Sequence, residues 1–561
     1  MSDTFEQVMT AGYTLDTPAL VLGSALHDDV PFNDTHVQVA LSILNRHGLI
    51  CGATGTGKTK TLQLMAGQLS KIGVPCFVAD IKGDLTGMSN PGDASNPKII
   101  DRMASIGLPF TPSGHPVEYL SLSGARGAQV RATVHSFGPL LLGKVLDLNE
   151  TQTSILALIF KYCDDNNLPL LDLKDLAATL KFLSSEAGKP ILADYGGMSA
   201  SSVGVLLRSI VVVEQEGADT FFGEPEFDVM DLLRTTETGE GVISLLELSD
   251  VMEKPRLFST FMLWILAQLY ESLPEVGDVL KPKLCFFFDE AHLLFNDASE
   301  ALLEQIERTA RLIRSKGVGI YFVTHSPTDV DPTVLSQLGN RVQHALRAFT
   351  PDDADALRKT VRTFPMTDFY DVEKMLTSLG IGEAAVTVLS PRGIPTPLAA
   401  TRLQAPDSSM EPLNDADFAA RVVQSPLHEK YGMAIDRDSA YERITARLTA
   451  ARSAAAEAAA RGEMPPTTNS GLNTMTPAQQ RREIQRQVRE ARAAERARER
   501  ERKAQVAAEK RWRAEQARVE RARQRSIDNA VRTGGRVITS RAGQSILRGV
   551  FDTIFGGGRS R

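Results

Sequence analysis

The stretch from Gly52 to Thr59 has the spacing G-x-x-x-x-G-K-[ST], a pattern that binds phosphate groups. Glycines in the loop permit backbone conformations closed to other residues, so that successive N–H groups can surround an anion. Lys58 adds a positive charge that can reach the β- and γ-phosphates of ATP, and the Thr59 hydroxyl is a hard oxygen suited to Mg²⁺. The candidate nucleotide-binding residues are Gly52, Ala53, Thr54, Gly55, Thr56, Gly57, Lys58, Thr59 and Lys60.

A second motif supplies carboxylates. The apolar residues 284–288 precede Asp289 and Glu290, which predicts a central strand buried on both faces with two acids at its carboxyl end. Beside a phosphate loop, Asp289 would hold Mg²⁺ through water, and Glu290 would orient and deprotonate the attacking water. The two motifs together predict an ATPase that uses ATP and Mg²⁺.

The phosphate loop must be held between a strand and a helix. Residues 48–51 form a short apolar run typical of a buried parallel strand, and helical spacing begins after the loop at Thr61. The helix N-terminus would direct its partial positive charge at the bound phosphates. This order of strand, loop and helix predicts an α/β fold.

Two further apolar runs end in polar residues. Residues 74–79 precede Asp80 and Lys82, and residues 319–323 come shortly before His325. Because ligands of doubly wound sheets bind at the carboxyl ends of strands, these side chains are expected near the phosphates. Two alternatives stay open: Lys82 as a surface charge, and His325 as a structural histidine rather than a sensor of the γ-phosphate.

The composition narrows the class of protein. With 561 residues, of which 42% are hydrophobic, the chain can bury a sizeable core and form more than one domain. No apolar run approaches the length of a membrane span, and the first residues lack a signal-peptide pattern, so we expect a cytoplasmic protein without a transmembrane segment. The four cysteines have no paired spacing, which argues against a disulfide framework and against a zinc site.

Composition also divides the chain. The predicted order is a short N-terminal β-containing segment (1–44), an ATPase core (45–400) with a helical insertion at about 148–235, a helical extension (401–461), a linker (462–475), a long charged helix (476–533) and an amphipathic tail (534–561). The charged helix holds 17 Lys or Arg and 8 Asp or Glu between Arg481 and Arg525, within a chain of net charge −7. It would contact nucleic acid or an acidic surface, or remain a solvated helix. Its apolar residues keep no sustained heptad, so a firm coiled coil is not indicated.

Two more stretches of sequence flank the strand that precedes His325. Residues 311–319 lead into the strand that precedes His325, and residues 337–350 follow it. With the phosphate loop and the acidic pair, they resemble the HerA-like ATPases of the HerA/FtsK superfamily, over about residues 45–393. The nearest resemblance is to a bacterial branch of helicase-HerA-like proteins. It implies a RecA-like P-loop core, a homo-oligomeric ring, usually hexameric, and ATP-driven movement of DNA or, in related secretion ATPases, of protein.

The resemblance also implies an arginine that a neighbouring subunit contributes to the transition state. The candidates are Arg311, Arg314, Arg341 and Arg347, with Arg314 and Arg341 as first choices and an ordinary salt bridge as the alternative for each. Two departures from the family are visible. The superfamily usually has glutamine at the position of His325, and the N-terminal segment is shorter than the β-barrel of archaeal HerA.

We therefore predict an ATP-hydrolysing ring motor that moves a polymer, with DNA as the first choice. No DNA-recognition element is visible in the sequence, so that substrate rests on the resemblance. The alternative is a nucleotide-dependent assembly or switch ATPase that acts on protein partners without moving DNA. A protein-moving secretion ATPase is a third interpretation.

Overall fold

The structure is a computed structural model that describes residues 4–251, 254–277, 279–295 and 300–460. The strands are β1 (Ala19–His27), β2 (Val30–Ala40), β3 (Gly48–Cys51), β4 (Cys76–Asp80), β5 (Val117–Ser121), β6 (Ala128–Gln129), β7 (Ile243–Glu247), β8 (Leu284–Phe288), β9 (Val318–Thr324), β10 (Asn340–His344), β11 (Glu383–Thr387) and β12 (Ala399–Leu403). They form one twelve-stranded sheet in the order β2-β1-β12-β11-β10-β3-β9-β8-β4-β7-β5-β6.

The helices lie before, between and after these strands. Their bounds are α1 (Phe5–Tyr13), α2 (Lys58–Lys71), α3 (Pro97–Ser105), α4 (Val134–Val145), α5 (Glu150–Asp165), α6 (Leu173–Ser184), α7 (Lys189–Asp194), α8 (Ala200–Val213), α9 (Asp219–Phe221), α10 (Pro255–Ser272), α11 (His292–Phe295), α12 (Glu300–Ile313), α13 (Pro332–Leu335), α14 (Pro351–Val361), α15 (Val372–Ser378), α16 (Asp415–Gln424), α17 (Pro426–Tyr431) and α18 (Ala440–Ala460). Helix and strand alternate through much of the chain, which confirms the predicted α/β class.

The central block of the sheet is parallel. Strands β10, β3, β9, β8, β4, β7, β5 and β6 run in one direction, while β11, β12, β1 and β2 pair antiparallel at one side. The carboxyl ends of parallel strands meet at one edge of a sheet, where ligands bind. The strand of the phosphate loop, β3, is therefore separated from β8 and its acidic pair by β9 alone.

Both faces of the central strands are buried, as the apolar runs predicted. On β8, Phe286 and Phe288 pack into the core of one face, and Cys285 and Phe287 pack into the core of the other. Alternation along the strand sends successive side chains to opposite faces, so a continuous apolar run can fill two cores. This burial holds the strand ends, and the polar residues on them, in a fixed arrangement.

The chain between β6 and β7 is mostly helical. Asn149 caps the start of helix α5. Its side-chain oxygen accepts a hydrogen bond from Gln152 N–H, and the Gln152 side-chain oxygen accepts one from Asn149 N–H. The domain boundaries drawn from the sequence stay predictions.

The linker, the long charged helix and the amphipathic tail lie outside the described residues. Across the part of the chain that is described, no helix is both long and apolar enough to cross a membrane.

The N-terminal segment joins the main sheet. Strands β1 and β2 lie within the N-terminal segment, and β1 pairs with β12. The helix α1 before them was not predicted, although its signal was present: Thr4 and Gln7 form a capping box. The Tyr13 hydroxyl, in the last turn of α1, donates to Pro397 O at 2.7 Å and so fastens this helix to the chain before β12.

Candidate active site

The phosphate loop lies between β3 and α2, in the predicted order. Its backbone is braced from both sides, because Gly52 N–H donates to Thr324 O at 3.2 Å and Ala53 N–H donates to Ala345 O at 2.8 Å. At the start of the helix, Gly57 has a φ of 115°, a left-handed value that favours glycine. A Cβ at this position would also lie 3.2 Å from the backbone of Gly382. The glycine there serves both conformation and packing.

Lys58 is buried and is turned back onto its own loop. Its Nζ donates to Gly52 O at 2.7 Å and to Ala53 O at 3.3 Å, and it lies 3.4 Å from His325 Nδ1. Burial lowers the pKa of Lys58, partly offset by the carboxylate of Glu290. The ammonium group is therefore held by carbonyl oxygens that a phosphate oxygen could replace.

The remaining loop residues differ in where they point. Thr54 and Gly55 are exposed, and Thr59 is partly exposed at the first turn of α2. The Thr56 hydroxyl donates to Ala53 O at 2.7 Å, inside the loop. The Lys60 side chain turns away, and its Nζ donates to Met410 O at 2.6 Å. The structure thus brings Lys58 to the loop but does not bring the Lys60 ammonium group there.

Asp289 and Glu290 follow β8 directly, and both are buried. Asp289 Oδ1 accepts from Glu290 N–H at 3.0 Å, while Asp289 Oδ2 is buried without a hydrogen-bond partner among the described residues. Burial, together with the neighbouring charge of Glu290, raises the pKa of Asp289 to about 6. A buried carboxylate oxygen without a donor is suited to a cation.

Glu290 is the centre of a polar cluster. Its Oε1 accepts from Lys82 Nζ, and its Oε2 lies 3.1 Å from His325 Nε2 and 3.3 Å from His292 Nδ1. Burial raises the pKa of Glu290, but the hydrogen bond and the charge of Lys82 outweigh that effect, so the pKa is lowered. The carboxylate is therefore held in its ionised form.

A profile of the helicase HerA-like C-terminal family matches residues 27–561, nearly the whole chain. The chain belongs to this HerA-like family. The DNA double-strand break repair helicases HerA of Sulfurisphaera tokodaii and Sulfolobus acidocaldarius are each 22% identical to it, over 63% of this chain and 64% of their own. This HerA-like chain thus matches less than two thirds of the length of those relatives.

Among solved structures, the HerA-like chain is similar to the plasmid coupling protein TrwB in complex with ADP and Mg²⁺. The TM-score is 0.46 at 13% identity, over 72% of this chain and 92% of TrwB.

Asp80 and Lys82 of the HerA-like chain lie at this edge too. Asp80 is buried and accepts from the N–H groups of Lys82, Gly83 and Leu85 at 3.1, 2.8 and 2.9 Å. These bonds close the turn after β4, and the turn directs Lys82 towards Glu290. Lys82 is thus an ion-pair partner of Glu290 in the structure.

Sequence reasoning missed two polar residues of the site. His292 stands two positions after Glu290, so its proximity to the acidic pair was a usable signal. Glu247 ends β7, lies in register with Asp80 and is contacted by Arg126 Nε at 3.3 Å. The run from Ile243 to Glu247 is apolar apart from Ser244 and ends in an acid, which resembles the run before Asp289.

The four arginine candidates do not bond to this cluster in the described part of the chain. Among the hydrogen bonds and ion pairs of the described residues, none joins any of the four to Lys58 or Glu290. Arg341 is half-buried on β10, and its Nη1 is buried without a hydrogen-bond partner there. Arg314 is exposed after α12. Arg311 pairs with Glu307, and Arg347 donates to Thr377 O at 3.0 Å.

Proposed function

We propose that this chain is an ATP-hydrolysing motor that moves DNA. One observation carries the hydrolytic part: His325 contacts both Lys58 of the phosphate loop and Glu290 of the acidic pair, which brings the two motifs into a single site. An anion-binding loop beside an ionised glutamate is the arrangement that phosphoanhydride hydrolysis needs. The DNA-moving part is supported by the HerA-like family and by relatives described as DNA repair helicases.

The residues present fit Mg²⁺. This ion prefers oxygen ligands, and Asp289 offers a buried oxygen without a hydrogen-bond partner among the described residues. The Thr59 hydroxyl stands at the start of α2, partly exposed. We assign Asp289 and Thr59 to the ion. When bound, Mg²⁺ would neutralise charge on the β- and γ-phosphates of ATP.

The chain's own residues divide the chemistry. Lys58 exchanges the carbonyl oxygens of Gly52 and Ala53 for phosphate oxygens, and its charge then stabilises the transferred group. Glu290 accepts a proton from the attacking water, for which it must be ionised and released from Lys82. His325 lies between the two and is suited to report the state of one to the other, because each of its ring nitrogens faces one of them.

We propose further that the active unit is a homo-oligomeric ring, with a hexamer as the family resemblance implies. Hydrolysis then needs an arginine from the neighbouring subunit to neutralise charge in the transition state. Among the described residues, no hydrogen bond or ion pair joins any of the four arginines to Glu290 within one chain, which supports this division. Arg314 is our first choice, because its side chain is exposed and has no hydrogen bond or ion pair to a described residue, whereas Arg311 pairs with Glu307 and Arg347 donates to Thr377 O.

The deciding experiment is steady-state ATPase activity with no nucleic acid, with double-stranded DNA and with single-stranded DNA. Glu290→Gln serves as the inactive control, since it keeps the size of the side chain and removes the base. We expect DNA to stimulate turnover, and we expect Glu290→Gln to lower it by about a hundredfold or more while ATP still binds. A fluorescent nucleotide analogue measures binding separately.

The ATPase measurements distinguish a DNA motor from an ATPase that does not act on DNA. DNA-stimulated turnover that disappears in Glu290→Gln supports the motor. Turnover that depends on Glu290 and ignores every nucleic acid would leave the ATPase in place and reject DNA as the moved polymer. Absence of ATP binding in the parent protein would reject the whole proposal.

A further inference from the structure

Two histidines and one carboxylate meet at the edge of the sheet. His325 follows β9, while Glu290 and His292 follow β8, and each offers one nitrogen or oxygen ligand atom within 4.8 Å of the other two. Glu290 Oε2 lies 3.1 Å from His325 Nε2 and 3.3 Å from His292 Nδ1. The carboxylate oxygen is thus within reach of both imidazole nitrogens at once.

These separations match the edges of a metal tetrahedron. Zn²⁺ binds His nitrogen and carboxylate oxygen at about 2.0–2.2 Å, which places neighbouring ligand atoms about 3.3–3.5 Å apart. The two distances from Glu290 Oε2 are 3.1 and 3.3 Å, close to that spacing. A cation could enter with small shifts of the side chains.

Two of these ligand atoms have no hydrogen-bond partner among the described residues. Glu290 Oε2 and His292 Nδ1 are both buried, and neither has a hydrogen bond to any described residue. The Glu290 side chain is only 7% exposed, so water cannot fully replace a partner. A metal ion would satisfy both orphaned atoms.

We propose that Glu290, His292 and His325 form a three-ligand site for a borderline divalent cation of the Zn²⁺ class. This site is distinct from the Mg²⁺ position, because Mg²⁺ requires oxygen ligands and imidazole nitrogens suit Zn²⁺ and its neighbours in the transition series. The four cysteines are all buried and free, and none belongs to this site. The ligands of this site are two histidines and one carboxylate.

Binding has two consequences within the chain. It moves the remaining ring proton of His325 to Nδ1, which conflicts with the donor Lys58 Nζ at 3.4 Å, so Lys58 must turn away from His325. It also binds the carboxylate group that would accept a proton as the catalytic base. The second consequence rests on the proposed function, and under that function Zn²⁺ inhibits ATP hydrolysis.

The site is tested without nucleotide, on the untagged full-length chain. Co²⁺ replaces Zn²⁺ as a spectroscopic probe, because Co²⁺ with tetrahedral ligands absorbs strongly in the visible region, and equilibrium dialysis measures Zn²⁺ directly. We expect one tight site per chain, intense Co²⁺ absorption that Zn²⁺ abolishes, and affinity at least about tenfold lower in His292→Ala and in His325→Ala. His135→Ala is the matched control, since His135 is an exposed histidine outside the site.

Unchanged affinity in both histidine variants, or Co²⁺ absorption as weak as that of the hydrated ion, would overturn the proposal. Thermal denaturation of each variant without metal checks that it folds, and His292→Gln and His325→Gln replace any variant that does not. The binding measurement contains no ATP. Its failure is therefore distinguishable from failure of the ATPase function, which the turnover assay tests.

Discussion

The ammonium group of Lys82 donates to the carboxylate of Glu290, and so joins the end of β4 to the end of the neighbouring β8. The side chain of Glu290 is 7% exposed and that of Lys82 is 42% exposed. The buried partner depends on this contact for its charge, whereas the exposed partner can exchange it for water. Release of Glu290 therefore costs Lys82 little, but the buried carboxylate needs another partner in its place.

Replacing Lys82 should change the pH dependence of hydrolysis. The charge of Lys82 holds the pKa of Glu290 below its usual value, against the effect of burial, so Lys82→Met removes that influence and the pKa rises. Because the base acts in its ionised form, a higher pKa means that it becomes protonated, and activity falls, at a higher pH as the pH is lowered. The acidic limb of the kcat/KM profile therefore moves towards alkaline pH. Lys82→Arg keeps the charge and should keep the profile. An unmoved limb in Lys82→Met would show that Lys82 does not set the ionisation of Glu290.

Asp289 makes the stability of the nucleotide-free protein depend on pH. Its pKa is raised from 3.8 to about 6 on folding, because burial and Glu290 disfavour the ionised form. The stability this group contributes is fully present below pH 3.8 and is lost as pH rises through 6, on the order of 3 kcal/mol in all. The thermal midpoint of Asp289→Asn relative to that of the parent should therefore rise between about pH 4 and pH 7, and the difference should stay constant above pH 7. A difference in thermal midpoint that is the same at every pH would contradict this account.

The Thr59 hydroxyl should matter for Mg²⁺ and not for the fold. Thr59→Val keeps the shape of the side chain and removes the oxygen assigned to the ion. We expect the Mg²⁺ concentration for half-maximal ATPase activity to rise at least about tenfold, with little change in the thermal midpoint of the nucleotide-free protein. Thr151→Val is the matched control, because Thr151 is an exposed threonine in the first turn of α5, outside the site. Equal effects of the two variants would remove Thr59 from the metal site.

Mixing variants tests the proposal that an arginine reaches the site from a neighbouring subunit. Arg314→Ala alone should lower kcat by about a hundredfold or more, as should Glu290→Gln. In a mixed ring some sites combine an intact Glu290 with an intact Arg314 from the neighbour, so mixing should restore part of the activity. Arg341→Ala should not be complemented in this way, because its half-buried guanidinium belongs to its own chain. Recovery with Arg341→Ala and none with Arg314→Ala would reverse the assignment.

Much of this arrangement could be predicted from local sequence. The phosphate loop, the buried strand before Asp289 and Glu290, and the α/β class depend on residue spacing and on continuous apolar runs, which are properties of short stretches. The helix α1 had a local signal as well, in the capping box of Thr4 and Gln7, and it was overlooked.

What only the tertiary structure decided is which strand ends face one another. The sheet order places β9 between β3 and β8, and β4 on the far side of β8, although these strands are far apart in the chain. Because of that order, Lys82 meets Glu290 across 208 positions of sequence, and Lys58 meets His325 across 267. The spacing of residues along a chain determines which groups a strand end carries. Strand pairing between distant segments determines which of those groups share a site.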